Sequence, residues 1–171
     1  KEFLQKIEYR VKPNPLHEKT SITLKGKTGT AVLDNKAEKQ IVIWAHYGHL
    51  RPNEHHNSKL AQSDWQIHNG ADDNASGTAA VLELARMFSQ NKTKENVNYV
   101  FALFSGEEDG LMGSKKLAET IKTNYPNTIF MFNMDMVGRL NKDNNLTVGG
   151  VGTSPILSDL VKKYKPESIK L

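Results

Sequence analysis

At 171 residues the chain has room for one domain with a real core and is short for two. Its 37 % apolar and 25 % charged residues describe a globular balance, the absence of cysteine excludes disulfides and thiolate ligands, and no apolar run reaches membrane-spanning length. The net charge of +4 comes from scattered lysines, densest at Lys162, Lys163, Lys165 and Lys170; without an arginine stripe and interleaved aromatics it reads as a solvated surface rather than a nucleic-acid site.

Residues 1–20 are polar, with Pro13 and Pro15, and read as a connecting arm. No signal peptide is visible, and a chain that starts at Lys1 reads as processed or trimmed. Residues 21–24 and 30–33 suggest two short strands of a hairpin about Gly26 and Gly29, at a sheet edge. The continuous apolar run 41–45 predicts a strand buried on both faces, ending at His46. Residues 51–70 form a long polar loop with His55, His56, Asp64 and His68, and a loop of that length has a functional reason more often than not. A helix is expected from Ser76 or Gly77 to about Gln90, because Val81, Leu84, Ala85 and Phe88 recur at helical spacing. A second buried strand spans 98–104, a second helix 111–122, and a third strand 128–135. A fourth strand is expected at 146–148 and a third helix at 155–164. Strands alternating with helices point to an α/β fold, a largely parallel sheet with helices on both faces.

The acidic residues fall where that architecture concentrates chemistry, at the carboxyl ends of strands. Asp72 and Asp73 lie in NGADDNASGTAA, Glu107 and Glu108 in LFSGEEDGLMGSK, and Asp135 in FNMDMVG, with His46 ahead of them in IVIWAHYGHL. Adjacent carboxylates resist joint ionisation unless a cation compensates them, and carboxylates with one imidazole suit a cation of intermediate hardness, zinc above all. Neighbouring side chains diverge, so one of each pair can hold metal while the other faces elsewhere. Singly, Asp-Asp-Asn is an ordinary helix cap and Glu-Glu-Asp-Gly an ordinary turn; together, each following a buried strand or opening a helix, they favour a metal site. His49, His55, His56 and His68 read as surface or loop histidines. Met131, Met134 and Met136 read as core packing, and Gly149-Gly150-Val151-Gly152 as a turn rather than a phosphate loop.

HYGHL, GADDNASGTAAVLELAR, FSGEEDGLMGSKKL and NMDMVGRL resemble, in order and over about residues 41–155, the di-zinc aminopeptidases of the aminopeptidase Y and bacterial leucyl aminopeptidase type, relatives of glutamate carboxypeptidase II and glutaminyl cyclase. The resemblance implies a mostly parallel sheet with a mixed edge, sandwiched by helices, and two zinc ions per complete site. His46 and Asp135 would bind one zinc, Asp72 would bridge both, and Glu108 would bind the second. Glu107 would be the general base of an exopeptidase that cleaves N-terminal residues from peptides with a free N-terminus, taking a proton from a metal-bridged water. Asp73 would support the site from behind. A periplasmic or extracellular address is also implied.

Two departures from that pattern set further expectations. Gly48 stands where the family carries an aspartate that orients the first histidine, a partner whose loss costs roughly 10–100-fold in affinity or activity; Asp64 or a backbone carbonyl would have to substitute. The family's second zinc also takes a late histidine, and no histidine follows His68. The chain therefore reads as a 1–20 arm and, over 21–171, the N-terminal portion of a zinc peptidase domain. It is expected to hold at most one zinc firmly, to be inactive as it stands, and to self-associate through an uncovered sheet edge. The competing readings are a non-catalytic binding domain of the same fold, which Gly48 favours, and a carboxypeptidase or glutaminyl-cyclase-like activity.

Overall fold

The computed structural model describes residues 4–11, 22–50 and 67–171. They fall into two compact units, residues 1–137 and 138–171. The first holds a five-stranded sheet: β1 (Leu4–Val11), β2 (Ile22–Leu33), β3 (Gln40–His46), β4 (Asn98–Phe104) and β5 (Thr128–Asn133), in the order β1-β2-β4-β3-β5. Pairings β4/β3 and β3/β5 are parallel, while β1/β2 and β2/β4 are antiparallel. The sheet is thus parallel where it carries chemistry and mixed toward the β1 edge.

The apolar run of β3 is continuous because both its faces are covered. Val42 and Trp44 pack with Val100, Ala102, Phe104 and Leu117 of helix α2 (Met112–Asn124). Ile43 and Ala45 point the other way, to Phe101 and to Val81 of helix α1 (Gly77–Gln90). Leu84, Ala85 and Phe88 complete the α1 stripe at the spacing predicted. Each fully buried side chain of this size contributes about 1.5–3 kcal/mol. The two cores hold β3 and β4 rigidly, and with them the loops at their carboxyl ends.

Three expectations need correction. The polar arm contains a strand: β1 pairs with β2 along its length, and Ile7 is buried. The expected hairpin at 21–33 is one unbroken strand. Gly26 serves close approach there rather than a turn, since a Cβ on it would lie 2.1 Å from Ser105 Oγ. No strand forms at 146–148. In the second unit, backbone bonds from Leu146 to Lys170 and from Lys170 to Asn144 instead tie a short bridge. Helix α3 (Leu157–Tyr164) follows a tight turn at Val151–Thr153, where the glycine run was expected to bend.

Candidate metal centre

The three parallel strands end side by side, and the candidate residues follow them. His46 is the last residue of β3 and is 1 % exposed. Glu107 and Glu108 follow β4, and Asp135 stands two residues beyond β5. Asp73 enters from the turn Ala71–Ser76 before α1, in non-helical backbone (φ −106°, ψ 94°).

Around His46 Nε2 lie Asp73 Oδ1 at 3.1 Å, Asp135 Oδ2 at 3.5 Å and Glu107 Oε2 at 4.0 Å. His46 Nδ1 lies 2.8 Å from the carbonyl oxygen of Gly48. That carbonyl can only accept, so Nδ1 donates to it and Nε2 is the nitrogen left to face the carboxylates. Carboxylates converging in this way repel one another unless a cation sits among them, and the donor set suits a divalent ion of zinc's type. The residues present therefore fit a metal. The carbonyl of Gly48 also does the orienting work expected of the absent aspartate. Asp64, the alternative, lies outside the described residues, as do His55 and His56.

A second group stands beside the first. His49 Nδ1 is 2.9 Å from Glu108 Oε1 and 3.9 Å from Asp73 Oδ1. The triads His46/Asp73/Asp135 and His49/Asp73/Glu108 each bring their ligand atoms within 4.8 Å of one another. They share Asp73.

The expected bridging residue is thus corrected: Asp73, not Asp72, lies between the two groups. The side chains diverge from one bent turn, and Asp72 is drawn toward Ser76. Ser76 Oγ donates to the Asp72 carbonyl at 2.6 Å and approaches the carboxylate at 3.4 Å. His49, expected to be a surface or loop histidine, lies in the loop after β3 and turns its ring inward to Glu108. Glu107 and Glu108 point to different groups: Glu108 joins the His49 group, and Glu107 approaches His46 without belonging to either triad.

Asn74 sets the geometry. It is 2 % exposed, donates through Nδ2 to the Met134 carbonyl at 2.9 Å, and accepts from the backbone N–H of Gly77 at 2.9 Å and of Met136 at 3.3 Å. It therefore fastens the Asp73 turn to the segment carrying Asp135. Gly77 permits the approach, since a Cβ there would fall 2.2 Å from the Met134 carbonyl oxygen. Asn74→Ala should cost about 2–4 kcal/mol by leaving several of these buried groups unpaired. At roughly 2–4 °C per kcal/mol for a chain of this size, calorimetry should show a fall in Tm of about 4–16 °C. An unchanged Tm would mean that the turn is held in some other way.

The turn carrying the glutamates is closed by the Glu107 carbonyl, which accepts from Gly110 and Leu111 at 2.8 Å each. Gly106 at its start has φ +69° and lies against Tyr9, whose hydroxyl donates to Asp109 at 2.9 Å. Burial raises the Glu107 carboxyl above the usual carboxylate range, opposed by attraction to His46 and reinforced by Glu108, Asp135 and Asp73.

The family model for peptidase family M28 matches residues 29–170. The chain belongs to peptidase family M28. Among similar M28-type sequences, a probable zinc metalloprotease of Pyrenophora tritici-repentis is 46 % identical over 78 residues, covering 46 % of this chain and 18 % of its own length. The alkaline phosphatase isozyme conversion protein of Escherichia coli is 32 % identical over 117 residues, covering 64 % and 31 %. Among solved structures, the aminopeptidase from Aneurinibacillus sp. strain AM-1 aligns with a TM-score of 0.51 at 33 % identity, over 74 % of this chain and 27 % of that one. The LapA aminopeptidase of Legionella pneumophila aligns with a TM-score of 0.56 at 25 % identity, over 82 % and 32 %. The M28 chain thus spans about a third or less of the length of these proteins.

Proposed function

We propose that the protein is a zinc-dependent exopeptidase that removes N-terminal residues from peptides. The observation that carries this reading is the pair of triads sharing Asp73, with Glu107 beside them and outside both. The names of the relatives, zinc metalloprotease and aminopeptidase, support zinc as the ion and peptides as the substrate class. His46, Asp73, Asp135 and Glu108 would hold the metal, and zinc there would supply Lewis acidity, acidifying water and polarising the scissile carbonyl. Glu107 Oε2 would accept the proton of the attacking water and return it to the leaving amine nitrogen, a role its raised affinity for protons suits.

In the parent protein of which this chain would be the N-terminal portion, hydrolysis of an aminoacyl anilide when zinc is loaded, lost with chelator and restored by zinc, is the expected result, while the 171-residue chain alone is expected to be inactive. Equal cleavage of N-acetylated and free peptides, or activity indifferent to chelator, would overturn the reading. No helix among the described residues is long and apolar enough to cross a membrane; the periplasmic or extracellular address rests on the resemblance and is part of this proposal. Self-association is proposed as well. It is supported by edge strand β5, where Ile129, Phe132 and Met131, the last expected in the core, are each more than half exposed. Light scattering should show oligomers that Ile129→Lys returns to monomers, and a monomeric wild type would contradict it.

A further inference from the structure

The loop after β3 brings a second imidazole to the acidic cluster. His46-Tyr47-Gly48-His49 folds back on itself: Tyr47 Oη donates to the Lys27 carbonyl at 2.8 Å, and the Gly48 carbonyl meets His46 Nδ1. His49 is thereby turned over Asp73 and Glu108. Its ring is seated on Gly70, where φ is +61° and a Cβ would lie 2.7 Å from His49 Cγ. His68 packs edge-on at 6.2 Å between ring centroids. No larger residue at position 70 would leave the ring in place.

The atoms at the meeting point are unsatisfied. His49 Nδ1 and Glu108 Oε1 are both shut off from solvent, and neither makes a hydrogen bond of acceptable geometry, although they approach to 2.9 Å. A buried acceptor and a buried ring nitrogen left in this way are costly to the fold. A proton held between them would be in line, and it is not. A cation drawing on both atoms, and on Asp73 Oδ1, would satisfy them together.

We propose that His49 is a metal ligand, supplying with Glu108 and Asp73 a second cation position next to the one at His46. This rests on the reading above, that zinc binds at His46, Asp73 and Asp135. It supplies within this chain the third ligand of the second position, where the sequence pattern left only two and at most one firmly held zinc was expected. His49 binds from the loop of the first histidine, so a single turn after β3 serves both positions.

The test uses the purified protein, stripped of metal and titrated with zinc against a chromophoric chelator. Wild type should take two equivalents. His49→Ala should keep one and weaken the other by more than the roughly 10–100-fold that loss of a supporting residue costs. His49→Cys gives a spectroscopic readout independent of activity. The chain has no other cysteine, so cobalt loading should produce a thiolate-to-cobalt charge-transfer band only if position 49 reaches the ion. The cysteine variant decides the matter should His49→Ala fail to fold. Two equivalents in His49→Ala with no band in His49→Cys would overturn this inference and leave the His46 site standing. A wild type that takes up no zinc would overturn both.

Discussion

In the full-length parent protein, Glu107→Gln is expected to lower peptide hydrolysis by about 10²–10⁴-fold while leaving bound zinc in place, the range lost with a general base. Glu107 Oε2 is 4.0 Å from His46 Nε2, close enough to serve the same reacting space, yet it belongs to neither triad. Glutamine preserves the shape and hydrogen-bonding reach and removes only the ability to take a proton. Glu108→Gln is the control, since Glu108 Oε1 meets His49, and it should cost metal as well as activity. Kinetics and elemental analysis on the two variants separate the roles. Equal metal loss in both, or full activity in Glu107→Gln, would reject them. The same variant has a pH signature in the metal-free protein. Burial and three neighbouring carboxylates raise the folded-state affinity of Glu107 for its proton, with His46 opposing. Its contribution to stability is therefore greatest below the unfolded carboxyl range and is lost as pH rises through the raised folded value. Glutamine escapes that loss, so Glu107→Gln should melt higher than wild type near neutrality, and the difference should vanish on acidification.

Asp73→Asn is expected to empty both metal positions, while Asp72→Asn leaves them filled. Asp73 Oδ1 is 3.1 Å from His46 Nε2 and 3.9 Å from His49 Nδ1, so the loss of its charge is felt on both sides. Each position would retain one imidazole and one carboxylate, fewer than the three protein ligands of a catalytic zinc site. Zinc affinity should fall well beyond the roughly 10–100-fold of a supporting residue. Asp72, whose carbonyl receives Ser76 Oγ, should affect the turn and not the ions. Metal retained in Asp73→Asn and lost in Asp72→Asn would restore the assignment suggested by the sequence alone.

The elements carrying the site were legible because burial on both faces leaves an unmistakable mark. Ile41–Ala45 and the run through Val100 and Phe101 had to be central strands, and the acids that follow them had to share one end of the sheet. The antiparallel edge was less visible. Ile7, Tyr9 and Val11 do alternate with Glu8 and Arg10, a strand signal, but surrounding polar residues and two prolines obscured it. Gly26 and Gly29 read as turn residues, whereas Gly26 answers to the approach of Ser105, just past the end of the neighbouring strand β4. Such an approach is invisible before the strands are paired. Which of two adjacent aspartates faces His46 likewise depends on backbone angles in one turn, fixed by the buried bonds of Asn74 to residues some sixty positions away. His49 was hidden for a similar reason. Three residues beyond His46 it has no periodicity to place it, and only the folding-back of the loop brings it to Glu108.

Anomalous diffraction at the zinc edge, from crystals of the zinc-loaded protein, tests the central claim most directly. The expected result is a zinc peak bounded by His46 Nε2, Asp73 Oδ1 and Asp135 Oδ2. Zinc bound through Asp72 with Asp73 turned away, or no zinc near His46, would contradict it.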